Sequence, residues 1–382
     1  MKTFWLVCAG MADEPLESLG GRTPLEVAKT PSMDALAKKS VLANAAWLDA
    51  SLPADSEVAA LSMLGYNPKE TYSGIAPLDA VAAGLSQNDA QIVFRADFVT
   101  VADGELTDHA AGSISSKEAQ VLVMELNRAL SSMHAKLVNV DGYKNLLIVD
   151  DAQLASELDS VECTAPSRRY RQVLSKTAPK GRGGEILRKM TNLTCEVLEN
   201  HDVNRVRIDL GENPASQIWL WGQGRRPKLS SFEERTKTKG AFFADNLSWK
   251  GLSLAAGMRT MKKWDENEFA DFNLFESSAN FPENSKDYKA KVRRIEEFDT
   301  KVVGKLMAWL EKKKTPARIV ITSDVVHSAV QGVNTHGHAP VLFWEEGASV
   351  QGADAFHEKN CGLSGRLYDP GHAFIAQILK GA

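Results

Sequence analysis

The sequence predicts an α/β fold: a mixed, mainly parallel sheet flanked by helices, interrupted by a separate α+β domain. Three observations carry that expectation. Short apolar runs closed by glycine or small polar residues stand near both ends of the chain, at 4–9 and 318–322, as central parallel strands require. Helical patterns lie between them, so strands and helices alternate. The middle of the chain instead alternates apolar and polar residues and contains an Asp-Gly turn signal.

Taken in order, residues 4–9 form a buried strand that Gly10 closes. Residues 24–40 carry helical punctuation, with Thr30-Pro31 opening a second turn of helix. Residues 92–102 alternate up to Asp103-Gly104, a hairpin turn, and Glu105 begins the return strand. Helices are expected at 117–131 and 184–200, and strands at 146–149, 203–210 and 218–221. Gly222-Gln223-Gly224-Arg225-Arg226-Pro227 has the composition of a hinge. Residues 286–313 read as one long charged helix with Val292, Ile295, Phe298, Val302, Val303, Leu306 and Leu310 on its apolar face. Strands at 318–322 and 340–344 follow. A chain of 382 residues is too long for one ordinary core. The expected division is a core of 1–92 and 236–382 with an inserted domain of 93–235.

Composition narrows the function classes. With 43% hydrophobic and 25% charged residues the chain is globular, and a net charge of -4 gives no reason to expect nucleic acid or a membrane surface as partner. Cys8, Cys163, Cys195 and Cys361 are widely spaced, which suits neither a zinc site nor a disulfide framework and fits a reducing cytoplasm. The apolar run at the N-terminus is too short for a signal peptide, and no stretch approaches the roughly 18 apolar residues that span a bilayer.

The chemistry centres on Ser56, in the run Pro53-Ala54-Asp55-Ser56-Glu57-Val58-Ala59-Ala60-Leu61-Ser62-Met63-Leu64-Gly65-Tyr66. A serine hydroxyl is a weak nucleophile near neutral pH and needs a base or a metal to activate it. This run resembles the serine loop of the archaeal-type, cofactor-independent phosphoglycerate mutase family, a branch of the alkaline phosphatase superfamily. So do the stretches at 20–31, 73–78, 204–207, 219–224, 231–235 and 239–241, in order through almost the whole chain. The resemblance implies an alkaline-phosphatase-like core with a cap that closes over substrate. It also implies phosphoryl transfer on a small phosphorylated acid through Ser56, with two divalent metal ions (Mn, Mg or Zn) holding the serine as an alkoxide.

Several family positions are substituted here. The family's first strand ends Asp-Gly-Met-(Gly or Ala)-Asp, whereas Ala9-Gly10-Met11-Ala12-Asp13 puts a methyl group at the first ligand. The stretch at 275–284 holds neither the aspartate nor the histidine of a second motif. The third motif falls on Thr322-Ser323-Asp324-Val325-Val326-His327-Ser328 in one of two registers. One keeps Asp324 with Val325 at the histidine position, the other keeps His327 with Val326 at the aspartate position, and His336 keeps its place in both. Asp324, His327 and His336, with His338 nearby, are the candidate metal ligands, and a reduced metal site and no metal both stay open.

Lys239 resembles a lysine that neutralises a transferring phosphoryl group, and Arg95, Arg205, Arg207 and Arg225 are candidate substrate ligands. Ile75 stands where the family usually carries an arginine able to meet phosphate. Each residue has a plainer role: a surface ion pair for the basic ones, a helix N-cap for Ser56. Two function classes follow. One is a phosphoryl-transfer enzyme with an altered metal site; the other is an inactive or repurposed relative that binds a small anion or a protein partner. A homo-oligomer also stays open.

Overall fold

The structure is a computed structural model and describes residues 1–169, 171–174, 179–277 and 286–380. The chain forms two compact units, Met1–Tyr72 with Lys228–Ala382, and Ser73–Pro227. In chain order, β1 (Lys2–Cys8) and β2 (Val41–Ala45) belong to the first unit. The second contributes β3 (Ile92–Ala102), β4 (Glu105–Asp108), β5 (Ala135–Asp141), β6 (Lys144–Val149) and β7 (Gln217–Gly224). The first unit resumes with β8 (Gly240–Ala244), β9 (Arg259–Thr260), β10 (Phe272–Ser277), β11 (Ala317–Thr322), β12 (Val326–Ser328), β13 (Val333–Thr335), β14 (Ala339–Glu345) and β15 (Leu367–Tyr368).

The first unit is built on an eight-stranded sheet of order β15-β2-β14-β11-β1-β10-β8-β9. It is mixed and mainly parallel, as expected: only β14 runs against its neighbours β11 and β2. β1 lies between β11 and β10 and is covered on both faces, which is why it reads as an unbroken apolar run. Phe4 and Leu6 pack with Ile295, Phe298, Leu306 and Trp309 on one face. Trp5, pointing the other way, meets Trp47, Phe272 and Phe374.

The helical expectations hold with local differences. Residues 24–40 resolve into two short helices. Pro24–Val27 opens with a capping box between Thr23 and Glu26. Pro31–Ala37 has its first backbone N–H groups satisfied by the buried Asp299 carboxylate, from Ser32 at 3.1 Å and Met33 at 2.7 Å. The long helix runs as Tyr288–Phe298 and Lys305–Lys313, joined through a π-helical turn at Asp299–Gly304 that presents this carboxylate.

The second unit is an antiparallel sheet of order β4-β3-β6-β5, with β7 on the other side of β3. Helices Ser116–Leu130 and Gly181–Glu199 cover one face through Leu122, Leu126, Leu187 and Met190. Helix Ala76–Ala82 lies on the other, where Ala76 and Ala80 meet Val93 and Leu146. That helix needs the sheet to bury its apolar side, so the unit starts at Ser73 instead of 93 and ends at Pro227 instead of 235. Gly222–Gly224 is the end of β7, not a linker: a Cβ on Gly224 would lie 1.3 Å from the Ser73 carbonyl oxygen.

Residues 203–210, expected as a strand, are helical over Asp202–Asp209. Its apolar residues Val206, Ile208 and Leu210 are all exposed and the buried face is polar. Asn204 bonds the carbonyls of Leu198 and Ala215 at 2.8 Å each. Arg207, 3% exposed, bonds Glu118 at 2.9 Å, Glu212 at 3.0 Å and the carbonyls of Asn213 and Ala111 at 3.1 and 2.9 Å.

Two expectations follow. Arg207→Ala should destabilise the protein in a urea melt by about 2 kcal/mol, because it leaves buried carbonyls unpaired. Burial pushes the Cys8 and Cys361 thiols up to about 12, so neither should react with iodoacetamide at neutral pH until the protein is unfolded.

Candidate functional site

The site forms where β1 and β11 end side by side. β1 stops at Cys8, and Gly10 turns the chain at φ +67°, a conformation that suits glycine. β11 stops at Thr322, and Asp324 follows two residues later. The Asp324 carboxylate, 2% exposed, accepts the backbone N–H of Gly10 and of Val325 on Oδ1, at 2.7 Å each. Its Oδ2 accepts the Ser56 hydroxyl. Burial pushes the Asp324 carboxyl above its usual range, while the serine and backbone donors pull it back.

Ser56 is the first residue of helix Ser56–Met63, and Asp55 occupies the N-cap position without a side-chain capping bond. Ser56 is therefore not the cap; its hydroxyl points to Asp324. The helix start directs backbone N–H groups and the positive end of the macrodipole toward this half-buried hydroxyl. Glu57, whose charge would oppose a phosphoryl group, is turned inward and 5% exposed.

A third side chain completes the arrangement. The Trp249 indole N–H donates to Ser56 Oγ at 2.9 Å. Trp249 lies in helix Leu247–Ala255, capped by Asn246, whose Oδ1 accepts the N–H of Ser248 and Trp249. The backbone N–H groups of Asp245 and Asn246 donate in turn to the buried Glu276 carboxylate at the end of β10, at 3.0 and 3.1 Å. Ser56 Oγ thus has a carboxylate acceptor and an indole donor. A hydroxyl, a carboxylate and an indole N–H are gathered in one place, the group types that nucleophilic chemistry on a serine requires.

The three candidate metal ligands do not converge. Asp324 keeps its place at the strand end, with Val325 buried beside it, so the register is the ungapped one. His327 lies in β12, where Nδ1 pairs with Asn334 Oδ1 at 2.9 Å across the β12–β13 hairpin. His336 is exposed and bonds the Leu52 carbonyl through Nε2 at 2.8 Å. Among the described residues no group of three or more His, Cys, Asp or Glu side chains is placed to hold a metal ion. Both oxygens of Asp324 are occupied by protein donors and Ala9 offers only a methyl group, so these residues do not fit a divalent ion. Of the 275–284 stretch, 278–284 lie outside the described residues.

Of the expected basic residues, Lys239 shares the first unit with Ser56 and lies away from it. Lys239 precedes β8, and its carbonyl accepts the N–H of Phe272 at the start of β10. β8, β10 and β1 run parallel, so Lys239 lies at the opposite end of the sheet, roughly 20 Å from the Ser56 end at about 3.3 Å per residue. Arg95, Arg205, Arg207 and Arg225 belong to the second unit. Arg95 bonds Asp79 and stacks on Trp221 at 4.7 Å, and Arg205 pairs with Asp202 at 3.2 Å. Arg225 meets Asp159 at 3.5 Å, and Arg207 is enclosed as described above.

Sequence reasoning missed Trp249 and a fully buried lysine, Lys291. The latter had a legible signal: Lys291, Ile295 and Phe298 follow an i, i+4, i+7 pattern and are the buried residues of their helix. Trp249 had none, because its indole reaches Ser56 only through the tertiary fold.

A model of the family described as 2,3-bisphosphoglycerate-independent phosphoglycerate mutase matches residues 37–204. A protein of that description from Methanothrix thermoacetophila is 32% identical over 402 residues, covering 100% of both chains. One from Methanosarcina mazei is 32% identical over 90% of each, and a probable one from Geobacter sulfurreducens is 29% identical over 99% of this chain and 100% of its own. Among solved structures, a Pyrococcus horikoshii protein superposes with a TM-score of 0.76 at 22% identity, over 98% of this chain and 95% of the other. A cofactor-independent phosphoglycerate mutase from Thermoplasma acidophilum gives 0.60 at 23% identity over 100% of both. At such identities the two structures speak for the fold, and the full-length relatives at 32% identity speak for descent. The chain belongs to the 2,3-bisphosphoglycerate-independent phosphoglycerate mutase family.

Proposed function

We propose that the chain catalyses phosphoryl transfer on a small phosphorylated acid, phosphoglycerate by its family, with Ser56 as acceptor and Asp324 as the group that takes the serine proton. The observation that carries this reading is the Ser56 hydroxyl itself. It is half-buried at a helix start, donates to a buried carboxylate, and accepts the Trp249 indole N–H.

In this reading Ser56 Oγ attacks phosphorus while its proton passes to Asp324. The bond from phosphorus to the substrate oxygen breaks, and that oxygen takes a proton from solvent. The reverse sequence returns the phosphoryl group to the neighbouring hydroxyl and the proton to Ser56. The Trp249 N–H offsets charge on Oγ as the proton leaves. Burial raises the Asp324 pKa, and a carboxylate of raised pKa is the stronger base toward a hydroxyl proton. Four cysteines without a disulfide among them suit a reducing cytoplasm as the setting.

Incubation with 3-phosphoglycerate should place a phosphate on Ser56, detectable by mass spectrometry, and interconvert the 2- and 3-phosphate esters; Ser56→Ala should lose both. Asp324→Asn should keep the fold and slow turnover by roughly 10²–10⁴-fold, the usual worth of a general base. The rate needs ionised Asp324, so it should fall as pH drops through the raised pKa, above the ordinary carboxylate value of about 4. That acid limb should vanish in Asp324→Asn. A protein that neither carries phosphate on Ser56 nor interconverts the esters sinks the reading and favours an inactive relative.

A further inference from the structure

Lys291 is the least expected charge in the first unit. Its side chain is 0% exposed, as is that of its partner Asp13. The ammonium has three hydrogens, and among its acceptors are Asp13 Oδ2 at 2.7 Å, the Ala12 carbonyl at 2.9 Å and the His327 carbonyl at 2.7 Å. Ala12 and Asp13 follow β1, while His327 follows Asp324. The lysine thus joins the two loops that make the Ser56 site.

Other bonds run in the same direction. The N–H of His327 donates to the Ala12 carbonyl at 3.0 Å, and the N–H of Ala12 donates to Ser323 Oγ at 3.1 Å. Asp13 accepts the N–H of Ala329 at 3.2 Å. Glu358, a half-buried carboxylate, accepts the Asp13 N–H at 3.2 Å and the Thr23 hydroxyl at 2.6 Å. Apolar residues of similar volume usually serve stability as well as a buried ion pair does, so packing alone does not explain this choice. What the ammonium adds is one point of positive charge that draws carbonyls of both loops together, next to the Gly10 N–H that holds Asp324.

We propose that Lys291 is a positioning residue whose ammonium holds the loops after β1 and β11 together and so keeps Asp324 against Ser56. Its catalytic consequence rests on Ser56 being the phosphoryl acceptor; its structural consequence does not. It acts through the backbone carbonyls of Ala12 and His327.

The test pairs Lys291→Met with the double variant Lys291→Met/Asp13→Leu, which removes the carboxylate left unpaired. The readouts are thermal stability, turnover of 3-phosphoglycerate, and the ¹⁵N indole resonance of Trp249, assigned with Trp249→Phe. The double variant should regain most of the stability lost by Lys291→Met, while turnover stays ~100-fold low at little changed KM, the cost of an ångström-scale misplacement. The Trp249 resonance should stay shifted in both variants. A double variant with wild-type stability, turnover and Trp249 resonance would overturn the proposal, because packing would then suffice. If neither variant folds, Asp13→Asn decides: a shifted Trp249 resonance supports the proposal and an unchanged one overturns it. Wild-type protein with no phosphate on Ser56 and no turnover sinks the catalytic reading alone, and the Trp249 resonance still judges Lys291.

Discussion

The Asp324 carboxylate ties together segments that are remote in the chain. Oδ1 holds the Gly10 and Val325 N–H groups and Oδ2 holds the Ser56 hydroxyl, so one buried group reaches a partner 314 positions away in the chain. An ionised carboxylate at this depth is stable only if every lone pair in reach finds a donor. The donors can be present only if β1 lies directly beside β11 and helix Ser56–Met63 starts above their ends. The site is therefore a consequence of sheet order.

The same end of the sheet shows how local polar groups are placed by others. Asn246 caps the helix that carries Trp249, and Glu276 at the end of β10 holds the turn before it. Lys291 fastens the loops after β1 and β11 from the helix side. In the row β8, β10, β1, β11, Asn246 follows β8, Glu276 stands at the end of β10, Gly10 follows β1 and Asp324 follows β11, and each bears on Ser56 or its neighbours. This agrees with the tendency of parallel sheets to carry their chemistry at the carboxyl ends of the strands. The opposite end, where Lys239 lies, contributes nothing to Ser56.

Much of the fold was legible because its signals are local. The apolar run at 4–9, the β-branched run at 318–322, the Asp103-Gly104 turn and the helices at 117–131 and 184–200 each reflect periodicity or turn chemistry within a few residues, and each is close to the observed element. The expectation at 203–210 failed for the converse reason. There the buried side is Asn204 and Arg207, whose partners come from Ala111, Glu118, Leu198, Asn213 and Ala215, while the apolar residues face solvent. The start of the second unit was misplaced because helix Ala76–Ala82 is recognisable as part of it only once the sheet it covers has formed.

For the site, the sequence by itself determined the family and singled out Ser56 and Ala9 as positions to examine. These are matters of residue type at motif positions. It could not choose between Asp324 and His327, assign Ser56 to a cap or to a carboxylate, or separate Lys239 from the site. Those outcomes depend on strand register, strand direction and which side chains meet across the fold. The structure decided them: parallel pairing puts Lys239 at the far end of the sheet, the β12–β13 hairpin turns His327 toward Asn334, and burial of Asp324 next to the helix start brings it to Ser56. A hydrogen bond needs two groups within about 3 Å, and only the folded chain brings residues 56, 249 and 324 that close.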